Sequence, residues 1–310
     1  MSLVTPAATK MKWNAADYAA NSSVQQTWAR ELITRIRLRG DEHLLDLGCG
    51  DGKVTAEIAR LVPRGLVVGL DASAEMIRFA RKTFPAKKNP NLQFQTGDAR
   101  KIHAGEFISA NAKATEAGAP FDVVFSNAAL HWVDDHAAIL RGAASVLKSG
   151  GRLLVSCGGK GNAHAVFLAL RPVMRLTRWR GFFRRMPLPY FFYATTDYEK
   201  WLPQARFKIG SVKLAPKDVA HPGREGFAAW LRTTWLPFTQ RVPEKVAQAS
   251  RLFGSAVDTK LTGKMPVPLA GLREEFIAAV VERYVAKHPP DAAGQIYVRM
   301  VRLEIDAVKL

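Results

Sequence analysis

Cysteine is scarce: the 310 residues hold only Cys49 and Cys157. Each closes an apolar, strand-like run, so no disulfide framework is implied and both are expected as buried thiols. Seven scattered histidines and two distant cysteines offer no metal-ligand spacing, so no metal is expected. Long hydrophobic stretches are missing as well. Nowhere do about 18 apolar residues follow one another, and the opening MSLVTPAATKMK has no apolar core, so neither a membrane span nor export is expected and the cytoplasm is the default. Fixed-period repeats and low-complexity tracts are absent too. Acidic residues are outnumbered throughout, leaving a net charge of +18.

What is present describes a folded chain, with 48% hydrophobic and 23% charged residues. The length exceeds that of one simple domain and predicts a core with an added lobe. The charge is uneven. Residues 1–159 carry 20 Lys and Arg against 15 acids, whereas residues 160–310 carry 25 against 12. The second half is thus suited to an anionic partner, whether small polycarboxylate, nucleic acid or membrane surface, and equally to solubility alone.

Val24, Trp28, Leu32, Ile33 and Ile36 recur at helical spacing ahead of five short apolar runs. These runs, His43–Leu47, Leu66–Leu70, Leu92–Phe94, Phe121–Phe125 and Leu153–Val155, read as strands. Helical patterns over Lys53–Leu61, Ala74–Lys82 and His136–Leu147 lie between them. The alternation predicts βαβ units and a doubly wound, mostly parallel α/β sheet. Beyond Cys157 a helix is expected over Pro172–Phe183, then alternating strands over Phe207–Leu214 and Ile296–Val308, with a helix over Glu274–Val285 between them. The expected division is a helical segment at 1–40, an α/β core at 41–160, and a mixed region at 161–310 combining a helical cap with the last two antiparallel strands of a seven-stranded sheet.

The stretch HLLDLGCGDG, residues 43–52, runs an apolar strand into Gly48, Gly50 and Gly52. Such glycines admit positive φ and close approach of a ligand at the carboxyl end of a strand. A dinucleotide fingerprint would need glycine at position 53, which is lysine, and Asp46 would repel a pyrophosphate. S-adenosylmethionine carries an ammonium and a sulfonium and no phosphate, so it fits this loop. Asp71 closes the second strand, within reach of ribose hydroxyls, and Asp98 follows the third, where it can accept from an adenine amino group. One such Asp alone is more often a turn or cap residue; three at successive strand ends favour a ligand.

With these residues in hand, residues 13–157 resemble the class I S-adenosylmethionine-dependent methyltransferases. Within that superfamily the chain looks most like the trans-aconitate methyltransferase group, through WNAADYAANSSVQQ (13–26) and FSNAALHWVDDH (125–136), with TTWLPFTQRVPE and YVRMVRLEIDAVK also similar. The resemblance implies a Rossmann-like fold. It also implies that Asp46, Gly48 and Gly50 hold the methionine end of the cofactor, Asp71 with its neighbour Ala72 the ribose, and Asp98 and Ala99 the adenine. Met76 would line the adenine pocket, Asn127 the rim, and Tyr18 and Gln25 would reach the methionine carboxylate from the N-terminal helix. Where relatives often carry Gln before the tryptophan, this chain has His131.

Methyl transfer is an in-line displacement in which positioning dominates. A carboxylate acceptor needs no base, whereas a phenol or ammonium must first lose a proton. His131 is the candidate for that base, or for a hydrogen bond to a carboxylate, or for a packed loop residue; Trp132 would wall the pocket. Arg171, Arg175, Arg178 and Arg185 share a face if the helix continues through Gly181, and Arg175 and Arg178 are then candidates to clamp an anionic substrate; the same row also reads as a solvated face. Interleaved aromatics allow an apolar acid instead. The expected reaction is methylation of a small molecule, with O-methylation of a carboxylic acid, trans-aconitate-like or apolar, put first and N- or C-methylation as alternatives. RNA methylation is the rival that the basic second half permits, although Asn127 opens no NPPY-type motif and no RNA-binding module is evident. A non-catalytic cofactor-binding protein is the third reading.

Overall fold

The computed structural model describes residues 23–103, 105, 121–244 and 271–310. In chain order the described helices are α1 (Ser23–Ile33), α2 (Lys53–Leu61), α3 (Ala74–Thr83), α4 (His136–Val146), α5 (His164–Arg175), α6 (Thr195–Gln204), α7 (Gly223–Thr234), α8 (Leu236–Thr239) and α9 (Leu272–Val285). The strands are β1 (His43–Leu47), β2 (Leu66–Asp71), β3 (Leu92–Thr96), β4 (Phe121–Asn127), β5 (Leu147–Gly158), β6 (Phe207–Pro222) and β7 (Gln295–Lys309). They form one seven-stranded sheet in the order β3-β2-β1-β4-β5-β7-β6.

The described residues fall into two compact units. The larger holds 23–103, 105, 121–162, 190–217 and 300–310; the smaller holds 163–189, 218–244 and 271–299. In the larger unit β1, β2, β3, β4 and β5 are parallel, and β7 runs antiparallel to β5. Buried sheets of this kind expose alternate side chains to opposite faces, and two apolar clusters result. Leu45, Leu47, Val68, Leu70, Val124 and Leu153 pack with Ile139 and Leu140 of α4 and with Tyr198 and Leu202 of α6. Their sequence neighbours Leu44, Val67, Val123 and Leu154 pack with Leu32 of α1, Ile58 of α2 and Ile77 of α3. Each such fully buried Leu or Ile contributes about 1.5–3 kcal/mol relative to exposure. The parallel register brings the ends of β1, β2, β3 and β4, at Leu47, Asp71, Thr96 and Asn127, to one edge of the sheet. Both cysteines are buried and unbridged.

The smaller unit is mainly helical. Trp179 and Phe183 pack on Phe276 of α9, with ring centroids 5.7 and 5.2 Å away, and Phe227 of α7 meets Tyr284 of α9 at 4.7 Å. One expectation is corrected here. The helix predicted over 172–183 does not form: α5 begins earlier and ends at Arg175, Leu176 is extended (φ −59°, ψ 141°), and only a 3₁₀ turn at Arg180–Phe183 follows. Burial of Trp179, Phe182 and Phe183 fixes the chain direction in place of local helix propensity. Arg185, at φ 53°, is not on a helix either, so the arginine row assumed from sequence does not exist.

Candidate active site

The β1–α2 turn is built around Gly48, Gly50 and Gly52, at φ 76°, 56° and 80°. At Gly48 a Cβ would stand 2.1 Å from Ala129 Cβ, so glycine is required by both conformation and space. Ala129 follows Ala128, itself left-handed at φ 55°, a strained setting for a residue with a Cβ. Four of the turn's amides are already used. Gly48 and Cys49 N–H donate to the Leu70 carbonyl at 2.7 and 3.1 Å, Gly52 N–H donates to Cys49 O at 3.0 Å, and Gly50 N–H donates to Asp71 Oδ2 at 3.0 Å. A phosphate would therefore find those four donors occupied.

Carboxylates gather at the same turn. Asp46 is buried and accepts from Thr55 Oγ1 at 2.7 Å. Desolvation pushes its carboxyl up to about 7, Thr55 opposes the shift, and the nearby Asp71 charge adds to it. Asp71 is also raised, by desolvation, against the pull of the Ser73 and Gly50 N–H groups that it accepts. Asp51 is buried and sits 3.6 Å from Lys53 Nζ. An acid-rich turn with four of its amides occupied fits a cationic ammonium–sulfonium ligand and disfavours a dinucleotide. The sequence did not reveal Thr55, whose only signal was its place in the first turn after the glycines.

The other predicted cofactor residues lie around the same strand ends. Met76 is buried, its N–H capped by Ser73 Oγ at 3.3 Å, and Ala72 is exposed beside Asp71. Ala99 packs against the core, and Asn127 pairs in register with Ser156. Asp98 is held by Arg100, whose guanidinium also reaches Asp134 at 2.8 Å; hydrogen bonding to Arg100 keeps the Asp98 carboxyl below its usual range. Tyr18 lies outside the described residues, and the Gln25 side chain is likewise outside them although its backbone is in α1.

Two residues past Ala129, His131 sits in the 3₁₀ turn Leu130–Trp132. Its Nδ1 accepts the Gly158 N–H at 3.2 Å, which places the ring proton on Nε2. The ring lies among Trp132, Tyr190 and Phe192, with centroids 5.5, 6.1 and 6.0 Å away, and Trp132 stands 4.7 Å from Tyr190. Although the residue keeps some accessible surface, desolvation of the ring brings its pKa down to about 3. His136 anchors the turn: its Nε2 bonds the Leu130 carbonyl at 2.7 Å, and its Nδ1 bonds Tyr198 Oη at 2.5 Å. Neither His136 nor Tyr198 was singled out from sequence, because their pairing spans 62 positions.

Of the predicted substrate arginines, Arg175 lines a cavity in the smaller unit, whereas Arg178 is ion-paired with Glu275 of α9.

Residues 38–168 match the family model of the methyltransferase domain. An uncharacterized methyltransferase of Schizosaccharomyces pombe is 32% identical over 242 residues, covering 75% of this chain and 84% of that protein. The chain belongs to the class I S-adenosylmethionine-dependent methyltransferases. Its cofactor is S-adenosylmethionine, in keeping with the acid-rich turn and its four occupied amides. Among relatives of this methyltransferase, a trans-aconitate 2-methyltransferase of Rhodopseudomonas palustris is 24% identical, covering 96% of this chain and 99% of that protein. One from Deinococcus radiodurans is 35% identical over 145 residues, 47% of this chain and 49% of that protein. The YcgJ protein of Bacillus subtilis shares the fold at a TM-score of 0.51 and 17% identity, over 91% of this chain and 97% of its own. So does the cyclase SpnF, at 0.50 and 18%, over 92% of this chain and 81% of its own. The fold by itself therefore does not name the reaction.

Proposed function

We propose that this methyltransferase O-methylates a small carboxylic acid. The observation that carries the reading is the Gly158 N–H bond to His131 Nδ1, with the ring pKa near 3. An imidazole so placed is neutral at physiological pH, offers Nε2–H as a donor, and is too weak a base to strip an ammonium or a phenol. A carboxylate is already ionised and needs only orientation, which a neutral donor provides. S-adenosylmethionine supplies the electrophilic methyl on its sulfonium. Asp46 and the glycine turn are assigned to its methionine end, Asp71 and Ala72 to the ribose, and Asp98, Ala99 and Met76 to the adenine, with Asn127 at the rim. His131 orients the acceptor and Trp132 with Tyr190 walls it. Trans-aconitate is a reasonable first acid, since relatives carry that name.

The test is incubation with methyl-labelled S-adenosylmethionine and a panel of trans-aconitate, citrate and medium-chain fatty acids, followed by alkaline hydrolysis. Volatile labelled methanol with one acid is expected. Label that is stable to alkali would reassign the reaction to N- or C-methylation, and label on bulk tRNA would move it to RNA.

A further inference from the structure

We infer that the smaller unit contains a binding site for an amphipathic carboxylate with a flexible hydrocarbon tail, such as a medium-chain fatty acid. The site lies wholly within that unit and goes beyond the reaction proposed above. Its basis is a cavity of about 450 Å³ beside α5. Leu170 and Met174 of α5, Phe183 and Phe238 make its floor, and Arg171, Arg175 and Arg180 stand at its wall. The volume lies within the ~300–1,000 Å³ span of small-ligand pockets.

The ligand class follows from three arginines set beside an apolar floor. Other arginines of this unit are paired, Arg178 with Glu275, Arg224 with Glu282, Arg232 with Glu274 and Glu225, Arg273 with Glu244 and Arg299 with Asp218, while Arg184, Arg185, Arg241 and Arg283 have no acidic partner among the described residues. Arg171, Arg175 and Arg180 have no acidic partner among the described residues, and the sequence holds no Asp or Glu from 136 to 196. Arg171 and Arg175 are one helical turn apart and both exposed, so their guanidinium groups can converge on one anion. A hydrophilic polycarboxylate would leave the apolar floor unmatched, and a neutral hydrocarbon would leave three cations unmatched. A carboxylate with an apolar tail satisfies both surfaces.

Calorimetric titration of the full-length protein with dodecanoate, below its micelle concentration, tests this. Saturable one-to-one binding is expected, with dodecanol and trans-aconitate each weaker by about tenfold or more. Met174→Trp, which fills the floor, is expected to abolish it, and the exposed pair Arg171→Ala with Arg175→Ala to weaken it by about tenfold. Both variants should keep wild-type S-adenosylmethionine affinity, which is the check on folding; should Met174→Trp misfold, the arginine pair alone decides. Lack of saturable dodecanoate binding overturns the inference, as does unchanged affinity in the arginine pair. Binding to phosphatidylglycerol vesicles without binding of monomeric dodecanoate would overturn it in favour of a membrane-facing surface. Because no turnover is read, failure here leaves the carboxylate reaction standing, and failure of that reaction leaves this site standing.

Discussion

Thr55 Oγ1 donates to Asp46 Oδ2 at 2.7 Å across the turn that joins β1 to α2. It opposes the desolvation that raises this buried carboxyl from 3.8 to about 7. A raised carboxyl stabilises the free protein below about pH 4, and that contribution is lost as pH rises through 7. An ammonium placed against Asp46 requires the ionised form. Association at pH 6 should therefore release close to one proton and at pH 8 almost none, with affinity falling about tenfold per unit below pH 7. Calorimetry in buffers of different ionisation heat measures this; pH-independent affinity would remove Asp46 from the methionine end. Thr55→Val should weaken binding at neutral pH and cost about 1–3 kcal/mol of stability.

Gly48→Ala should be severe. The added methyl would fall 2.1 Å from Ala129 Cβ at a residue of φ 76°. Overpacking and left-handed strain together should cost about 2–4 kcal/mol, and cofactor binding should be lost. Denaturant midpoints and calorimetry check both.

The sheet was legible because its strands alternate with helices under glycine, aspartate and proline punctuation. His43–Leu47, Lys53–Leu61 and Ala74–Thr83 fall within a residue of the sequence pattern. The turn at 48–52 was legible because its chemistry is local. His136 with Tyr198, and Arg178 with Glu275, were not, since each joins residues distant in sequence and periodicity says nothing of such pairs. Tertiary packing of Trp179 on Phe276 likewise overrode a helical pattern that continued past Arg175.

Tyr198→Phe isolates the support of the His131 turn. It removes the hydroxyl that meets His136 Nδ1 inside the core. A loss of about 1–3 kcal/mol is expected by urea unfolding. Turnover should fall while cofactor affinity holds, because the glycine turn does not depend on this bond.

Acid should destabilise the protein from about pH 6.5 downwards. Desolvation is the largest cause in lowering His131 to about 3, His136 to about 4 and His221 to about 4. Their unfolded forms take a proton near 6.5, so from about pH 6.5 down to 4 the unfolded state binds more protons and stability falls. Asp46 and Asp71, both raised by desolvation, act in the opposite sense, but they are two groups against three. Urea midpoints should decline from pH 7 to pH 5; a flat profile would contradict the buried neutral imidazoles.

The most direct measurement is turnover of His131→Gln beside His131→Ala on whichever acid the labelled panel identifies. Glutamine can donate a hydrogen bond but cannot accept a proton as a base. If His131 orients an ionised acceptor, the glutamine variant should stay within about tenfold of wild type while alanine loses about a hundredfold. A glutamine variant as inactive as alanine, together with a wild-type rate that climbs through pH 6.5, would make His131 a general base and contradict the account.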